Sequence, residues 1–238
     1  MRRVVRVFWG PRPEPVETLA GRWKRTLDGI TGLLPGAASP GEGTGTWRQV
    51  RGSGPETELP ADEGALLGAL RVAQAAEDWS DLTGTALRLE RADEPGRRTE
   101  ISGLAGGAPE FLLQSFVVTL HAPDGVEVPE AELLAVLARE WEPDFGDVSD
   151  DDVLDALEDD AGYSVGDPVV GRFGYLSPAR AALVPEGLGT AREELPGGGV
   201  LLSLADPGAG ADVVAAYERL RDAGALEPLP RPMDRPVL

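Results

Sequence analysis

Apolar residues recur along this chain with two different periods, and the alternation between the periods outlines its elements. Residues 4–9 (Val-Val-Arg-Val-Phe-Trp) read as a short buried strand, stopped by Gly10 and the turn-forming Pro11, Pro13 and Pro15. Val16, Leu19, Ala20, Trp23, Leu27, Ile30 and Leu34 then follow at three- and four-residue spacing, which predicts an amphipathic helix over 14–34. A Gly/Ser/Pro segment over 35–46 predicts a loop, residues 46–51 a short strand, and residues 61–77 a second helix with Leu66, Leu67 and Leu70 inward.

Three strand patterns come next, at 86–91, 99–104 and 111–121. The last is apolar on both faces, with Leu112, Phe116, Val118 and Leu120 on one and Phe111, Leu113 and Val117 on the other. That pattern predicts a central strand covered on each side. Pro129 is placed to open a helix, with Glu130 and Glu132 in the first turn where the helix dipole favours them and Leu133, Leu134, Leu137 and Trp141 as the buried stripe. A second short helix is expected over 149–159, with Pro143 and Gly146 shaping a turn before it. Strands are expected over 169–176 and 200–204, with Gly197 to Gly199 as a tight turn before the second. A last helix is expected to be capped by Asp212, with Val213, Val214, Tyr217 and Leu220 inward and Gly224 as its stop. The Pro-rich run 228–236 cannot form a helix or a central strand and is expected to lie extended over the surface. Helices and strands intermix without a regular βαβ beat and without an internal repeat. The expectation is one α+β domain over 1–226, a mainly antiparallel sheet flanked by amphipathic helices, with a Pro-rich tail over 227–238.

Charge changes this picture more than composition does. The chain has 238 residues and a net charge of −19, and the imbalance is one-sided. Residues 1–100 hold 14 Lys+Arg against 15 Asp+Glu, whereas the remainder holds 8 against 26. Direct nucleic-acid binding is disfavoured, because neutralising phosphates needs a basic footprint, and an anionic membrane surface is disfavoured for the same reason. There is no cysteine, which excludes disulfides, thiolate catalysis and cysteine metal sites. No apolar run reaches signal-peptide or membrane-spanning length, so the expected location is cytoplasmic.

The densest acidic block lies between Trp141 and Asp160, with ten carboxylates and no Lys or Arg. Projected as a helix, residues 150–160 place Val153, Leu154 and Leu157 on one side and Asp151, Asp152, Asp155 and Asp159 on the other, with Glu158 at the boundary. Like charges three and four residues apart cost roughly 0.2–0.5 kcal/mol per pair, and a face selected only for solubility usually mixes Glu with Lys. A solvated acidic face is the plain alternative. A calcium loop is a poor fit. Asp147, Ser149, Asp151 and Glu158 sit at template positions 1, 3, 5 and 12, but Asp152 occupies the position that requires Gly.

Other chemistry is thin. His121 is the sole histidine and sits at the end of a strand; HExxH and GxSxG motifs are absent. Asp206-Pro-Gly-Ala-Gly-Ala lies between a strand and a helix but lacks the third Gly and a Walker Lys, so it reads as a turn. No cofactor is implied.

Phe8-Trp9-Gly10 before an amphipathic helix, Trp141-Glu-Pro-Asp-Phe-Gly-Asp-Val148, Gly174-Tyr-Leu-Ser177 and a Gly-rich turn before a late strand occur in this order. Together, from about residue 4 to 226, they resemble the immunity protein 52 family of bacterial polymorphic toxin systems. The family more often carries Asp at the position of Glu142, Trp at that of Phe145, and a larger or polar residue at that of Gly174. The resemblance implies an α+β, non-enzymatic protein that binds the C-terminal domain of a cognate toxin, in this family one of restriction-endonuclease-like fold. On the charge argument, the expected contacts are Asp151, Asp152, Asp155, Glu158 and Asp159, with Asp144 and Asp147 at the rim and Phe145 or Tyr163 as an aromatic anchor. Two other readings use the same features: a metal-dependent hydrolase built on the 144–160 carboxylates, and a general adaptor recruiting partners through the Pro-rich tail.

Overall fold

The computed structural model describes residues 1–34, 46–51, 55–94, 96–123, 125–206 and 208–238. Most of the loop expected over 35–46 lies outside the described residues. Among those described, ten strands form one sheet in which every named pair is antiparallel, and six helices flank it. The strands are β1 (Arg2–Trp9), β2 (Arg48–Gln49), β3 (Thr57–Glu58), β4 (Thr85–Glu94), β5 (Arg97–Ala105), β6 (Gln114–His121), β7 (Phe145–Ser149), β8 (Phe173–Leu176), β9 (Ala191–Glu194) and β10 (Val200–Ser203). The helices are α1 (Val16–Leu33), α2 (Glu63–Gln74), α3 (Glu130–Trp141), α4 (Asp151–Ala161), α5 (Pro178–Ala181) and α6 (Gly210–Asp222). The order across the sheet is β3-β2-β4-β5-β6-β1-β7-β8-β10-β9, so the α+β expectation holds. Both edges are two- to four-residue polar strands, a form that discourages pairing with another chain.

The two faces of the sheet are covered unequally. On one face α1, α2 and α3 bury a cluster that includes Val5, Val7, Trp9, Trp23, Leu66, Ile101, Phe116, Leu134 and Trp141. Trp9 and Trp141 stack with centroids 5.4 Å apart, and Trp23 meets Trp141 edge-on at 6.2 Å. On the other face α4 and α6 pack together over the β7-β8-β10 end, burying Phe145, Val153, Leu157, Val170, Leu202, Val213 and Leu220. Over β4-β5-β6 that second face is partly open and carries cross-strand ion pairs, Arg88–Glu100 at 2.9 Å and Arg98–Glu90 at 2.7 Å. His121 joins this network, 3.4 Å from Glu100. Strand β6 is therefore interior to the sheet but covered on one face only, its residues alternating between buried and half-buried. The two-faced apolar pattern over 111–121 arises because Phe111 and Leu112 lie before the strand, exposed at 63% and 52%.

The strongest departure from expectation is β7. Residues 145–149 form not a turn but a wholly buried strand between β1 and β8. Asp147 and Gly146 hid it. A Cβ on Gly146 would stand 2.7 Å from the Arg6 carbonyl oxygen, so the close approach of β1 requires glycine. Smaller departures occur at helix starts. Pro129 occupies the N-cap of α3, and Asp212 lies in the first turn of α6 while Ala209 is the cap. Nor is the Pro-rich tail merely draped over the surface. Leu229 and Met233 are buried, the Gly10 N–H donates to the Pro236 carbonyl at 2.8 Å, and the Leu238 N–H donates to Asp144. The adaptor reading thereby loses its free Pro-rich segment.

Candidate functional site

The 141–160 block divides into an inner half and an outer half. Helix α3 ends at Glu142, whose left-handed φ of 42° turns the chain, and Pro143 prevents continuation. The carbonyls freed there are taken by arginines: Arg12 donates to the Trp141 carbonyl at 2.5 Å, and Arg22 to that of Glu140. The chain then enters the core. Asp144, fully buried, accepts from Arg180 Nε at 2.9 Å and Nη2 at 2.7 Å, from Ser177 Oγ at 3.2 Å, and from the Leu238 N–H at 2.9 Å. Arg180 also donates to the Ala225 carbonyl at 2.8 Å. This bidentate pair joins β7, α5, the end of α6 and the tail.

Three residues on, Asp147 stands directly opposite Arg6 in the β1–β7 register and pairs with it at 3.1 and 2.9 Å, while Ser149 Oγ donates to the same carboxylate. Burial disfavours the Arg6 charge, but Asp147 outweighs it and holds the guanidinium protonated beyond its ordinary range. Phe145 stacks on Phe8 at 5.2 Å with 1% exposure, and Tyr163 is buried, its phenol pushed up by burial against the opposing pull of Arg6. Asp144, Phe145, Asp147 and Tyr163 are thus committed to internal contacts. As rim residues Asp144 and Asp147 are out of reach of a partner's surface, because removing either from its arginine would leave a buried charge unpaired, whereas Phe145 and Tyr163 also line a neighbouring pocket.

The outer half is α4. Asp150 is its N-cap, accepting from the Val153 N–H at 3.0 Å, and it also pairs with Arg3. Arg3 continues to Glu130, which is held by Arg172 at 2.7 Å. Asp151 pairs with Arg2 at 2.6 Å in an exposed contact of the kind worth little. Beyond these, Asp152, Asp155, Glu158, Asp159 and Asp160 are all exposed and form no ion pair with any described residue. Val153 and Leu157 point inward as the projection predicts, Leu154 is half-buried against the same cluster, and Ala161 is buried with them. Among the described residues no three His, Asp or Glu side chains converge to hold a metal ion, so the hydrolase reading has no metal site there.

Sequence reasoning missed a neighbouring surface. Past α4, residues 163–169 face the segment before β6 across a pocket of about 410 Å³, floored by Phe8, Val117 and Phe145. Val165 there is 88% exposed. The clue was an apolar residue in the polar run Ser164 to Asp167, which no periodicity explains.

No protein-family model matches the chain, and no curated protein matches it. Among solved structures, Pseudomonas aeruginosa T6SS protein PA0821 is similar, with a TM-score of 0.52 and 14% identity over 94% of this chain and 76% of that one. At that identity the likeness concerns the fold. Among the described residues no helix is long and apolar enough to cross a membrane.

Proposed function

We propose that this protein is a non-enzymatic immunity protein that binds a cognate polymorphic toxin and blocks it, acting in the cytoplasm. One observation carries the reading: within a single twenty-residue block the inner carboxylates are all matched by arginines, while five outer ones on α4 have none among the described residues. A fold that supplies arginines at buried positions leaves this face uncompensated, and like-charge crowding of that kind is relieved by a basic partner. A nuclease toxin of restriction-endonuclease-like fold supplies such a partner, since its substrate groove must be basic. The likeness to a T6SS protein is compatible with a place in a toxin system.

The test is co-expression with the toxin domain encoded beside this gene. The native protein should restore growth and co-purify with the toxin. Asp152→Lys/Asp155→Lys/Asp159→Lys should lose both while melting at the native temperature. Full protection by that triple variant rules out the acidic face. Absence of any protection by the native protein rules out the immunity role itself.

A further inference from the structure

The pocket beside α4 has properties that the acidic face alone lacks. It lies where the α4–α6 cover of the sheet stops, between the segment leading into β6 and residues 163–169. Phe111, Leu112 and Val165 stand around it at 63%, 52% and 88% exposure, three of the large apolar side chains this protein leaves in water. Clustered exposed apolar groups around a concavity mark an interaction site far more often than scattered ones do. The pocket is also continuous with the acidic helix. Gly162 ends α4 in a left-handed turn, Tyr163 follows as a pocket wall, and its phenol feels the charges of both Glu158 and Asp167. Asp155 lies three and four residues before Glu158 and Asp159, so it neighbours both on the helix surface. Of the two cations lining the pocket, Arg6 is already held by Asp147, and Arg231 lies on the tail, away from α4 in the chain.

We propose that this pocket is the anchor point of the partner interface. It takes one aromatic or aliphatic side chain of a protein segment whose neighbouring residues on one side are Lys or Arg and lie along Asp155, Glu158 and Asp159. The class of partner rests on the immunity reading; the placement of the anchor does not. Charge decides the occupant. A second copy of this chain, at net −19, would bring an equally acidic face against α4, whereas a basic segment is attracted to it. Interfaces concentrate their energy in a desolvated apolar centre with charged groups at the rim, and this surface has that layout. The bare face of β4-β5-β6 does not compete for the role, since its Arg and Glu side chains already pair with one another.

The test uses three labelled synthetic peptides and fluorescence polarisation: Gly-Ser-Phe-Gly-Arg-Lys-Arg, the same peptide with Ser for Phe, and the same with Glu for each Arg and Lys. The first should bind saturably, and the other two at least ten-fold more weakly. Val165→Asp and Leu112→Asp, both at exposed positions, should each weaken the first peptide at least ten-fold with an unchanged melting temperature. Glu158→Lys should weaken it several-fold, and Asp78→Lys, exposed after α2, should not. Failure of the first peptide to saturate by millimolar concentration, equal binding of the Ser peptide, or indifference to Val165→Asp overturns the proposal. So does a dimer in sedimentation that Val165→Asp dissolves, because the occupant is then a second copy. Toxin protection is scored separately. If the native protein protects and Val165→Asp/Leu112→Asp protects equally, the anchor is wrong and the immunity reading stands. If the native protein fails to protect, the immunity reading falls while the peptide result still decides the anchor.

Discussion

Strand β7 and helix α4 are consecutive, separated only by Asp150, yet the carboxylates of the two segments have opposite fates. In β7 and the residue before it, Asp144 and Asp147 have no exposure and each meets an arginine in two hydrogen bonds. On α4, Asp152, Asp155, Glu158 and Asp159 lie in water with no cationic partner among the described residues. Composition cannot separate the two sets; the difference lies in which arginines the topology delivers. Arg6 reaches Asp147 because β1 and β7 are neighbours, and Arg180 reaches Asp144 because α5 follows β8 across the sheet end. Residues that look like one acidic patch are therefore two systems, one structural and one exposed to solvent.

Five measurements would break or sharpen this division. The largest effect belongs to Arg180→Ala, which strands the Asp144 carboxylate without its guanidinium and should cost about 3–5 kcal/mol in urea denaturation. The paired change Arg180→Met/Asp144→Leu should cost clearly less than either single change, since an apolar pair leaves no orphaned charge. Arg6→Ala comes next, at about 1.5–3 kcal/mol, because Arg6 is partly exposed and water can reach part of the site. Tyr175, on β8 beside this node, gives a pH signature. Burial, then the Glu142 and Asp144 charges, push its phenol up to about 12. A raised folded-state value means that its contribution is complete below the ordinary tyrosine range near 10 and is lost as pH rises toward 12. Stability should fall over that window by on the order of 2–3 kcal/mol, and by less in Tyr175→Phe when the two are followed by alkaline titration. The smallest effect is on α4. Asp155→Lys and Asp159→Lys should change stability by under about 0.5 kcal/mol each, in the stabilising direction, as like-charge spacing is relieved. A loss of more than 1 kcal/mol there would show that the outer carboxylates are structural after all.

Much of this architecture is legible in the sequence. The helical stripes of α1 and α3 are unbroken, and their tryptophans mark the buried side, so these helices and the α+β class follow from periodicity alone. Strand β7 is hidden because its inward residues include a carboxylate, which looks polar until Arg6 is placed opposite it. Arg6 in turn looks like an interruption of the β1 apolar run. The Asp144–Arg180 pair spans 36 residues with no spacing rule to connect them. The edge strand β9, Ala-Arg-Glu-Glu, has no apolar pattern because all of it faces water. The outward side of α4 was readable, since the helical projection needs nothing beyond the local sequence. The adjoining pocket was not, because it is made by two segments that meet only in the fold.

The central place of β1 has a consequence for how the chain is made. Its neighbours are β6 and β7, which begin more than a hundred residues later. At about 5–20 residues per second of synthesis, Val4, Val5, Val7 and Trp9 wait roughly 5–20 s for their first strand partner. During that interval the apolar stripe of α1, the next element to emerge, is the nearest cover those side chains have. A nascent chain stalled before residue 114 would therefore present an unpaired apolar strand, which is where chaperone binding or aggregation during expression should concentrate.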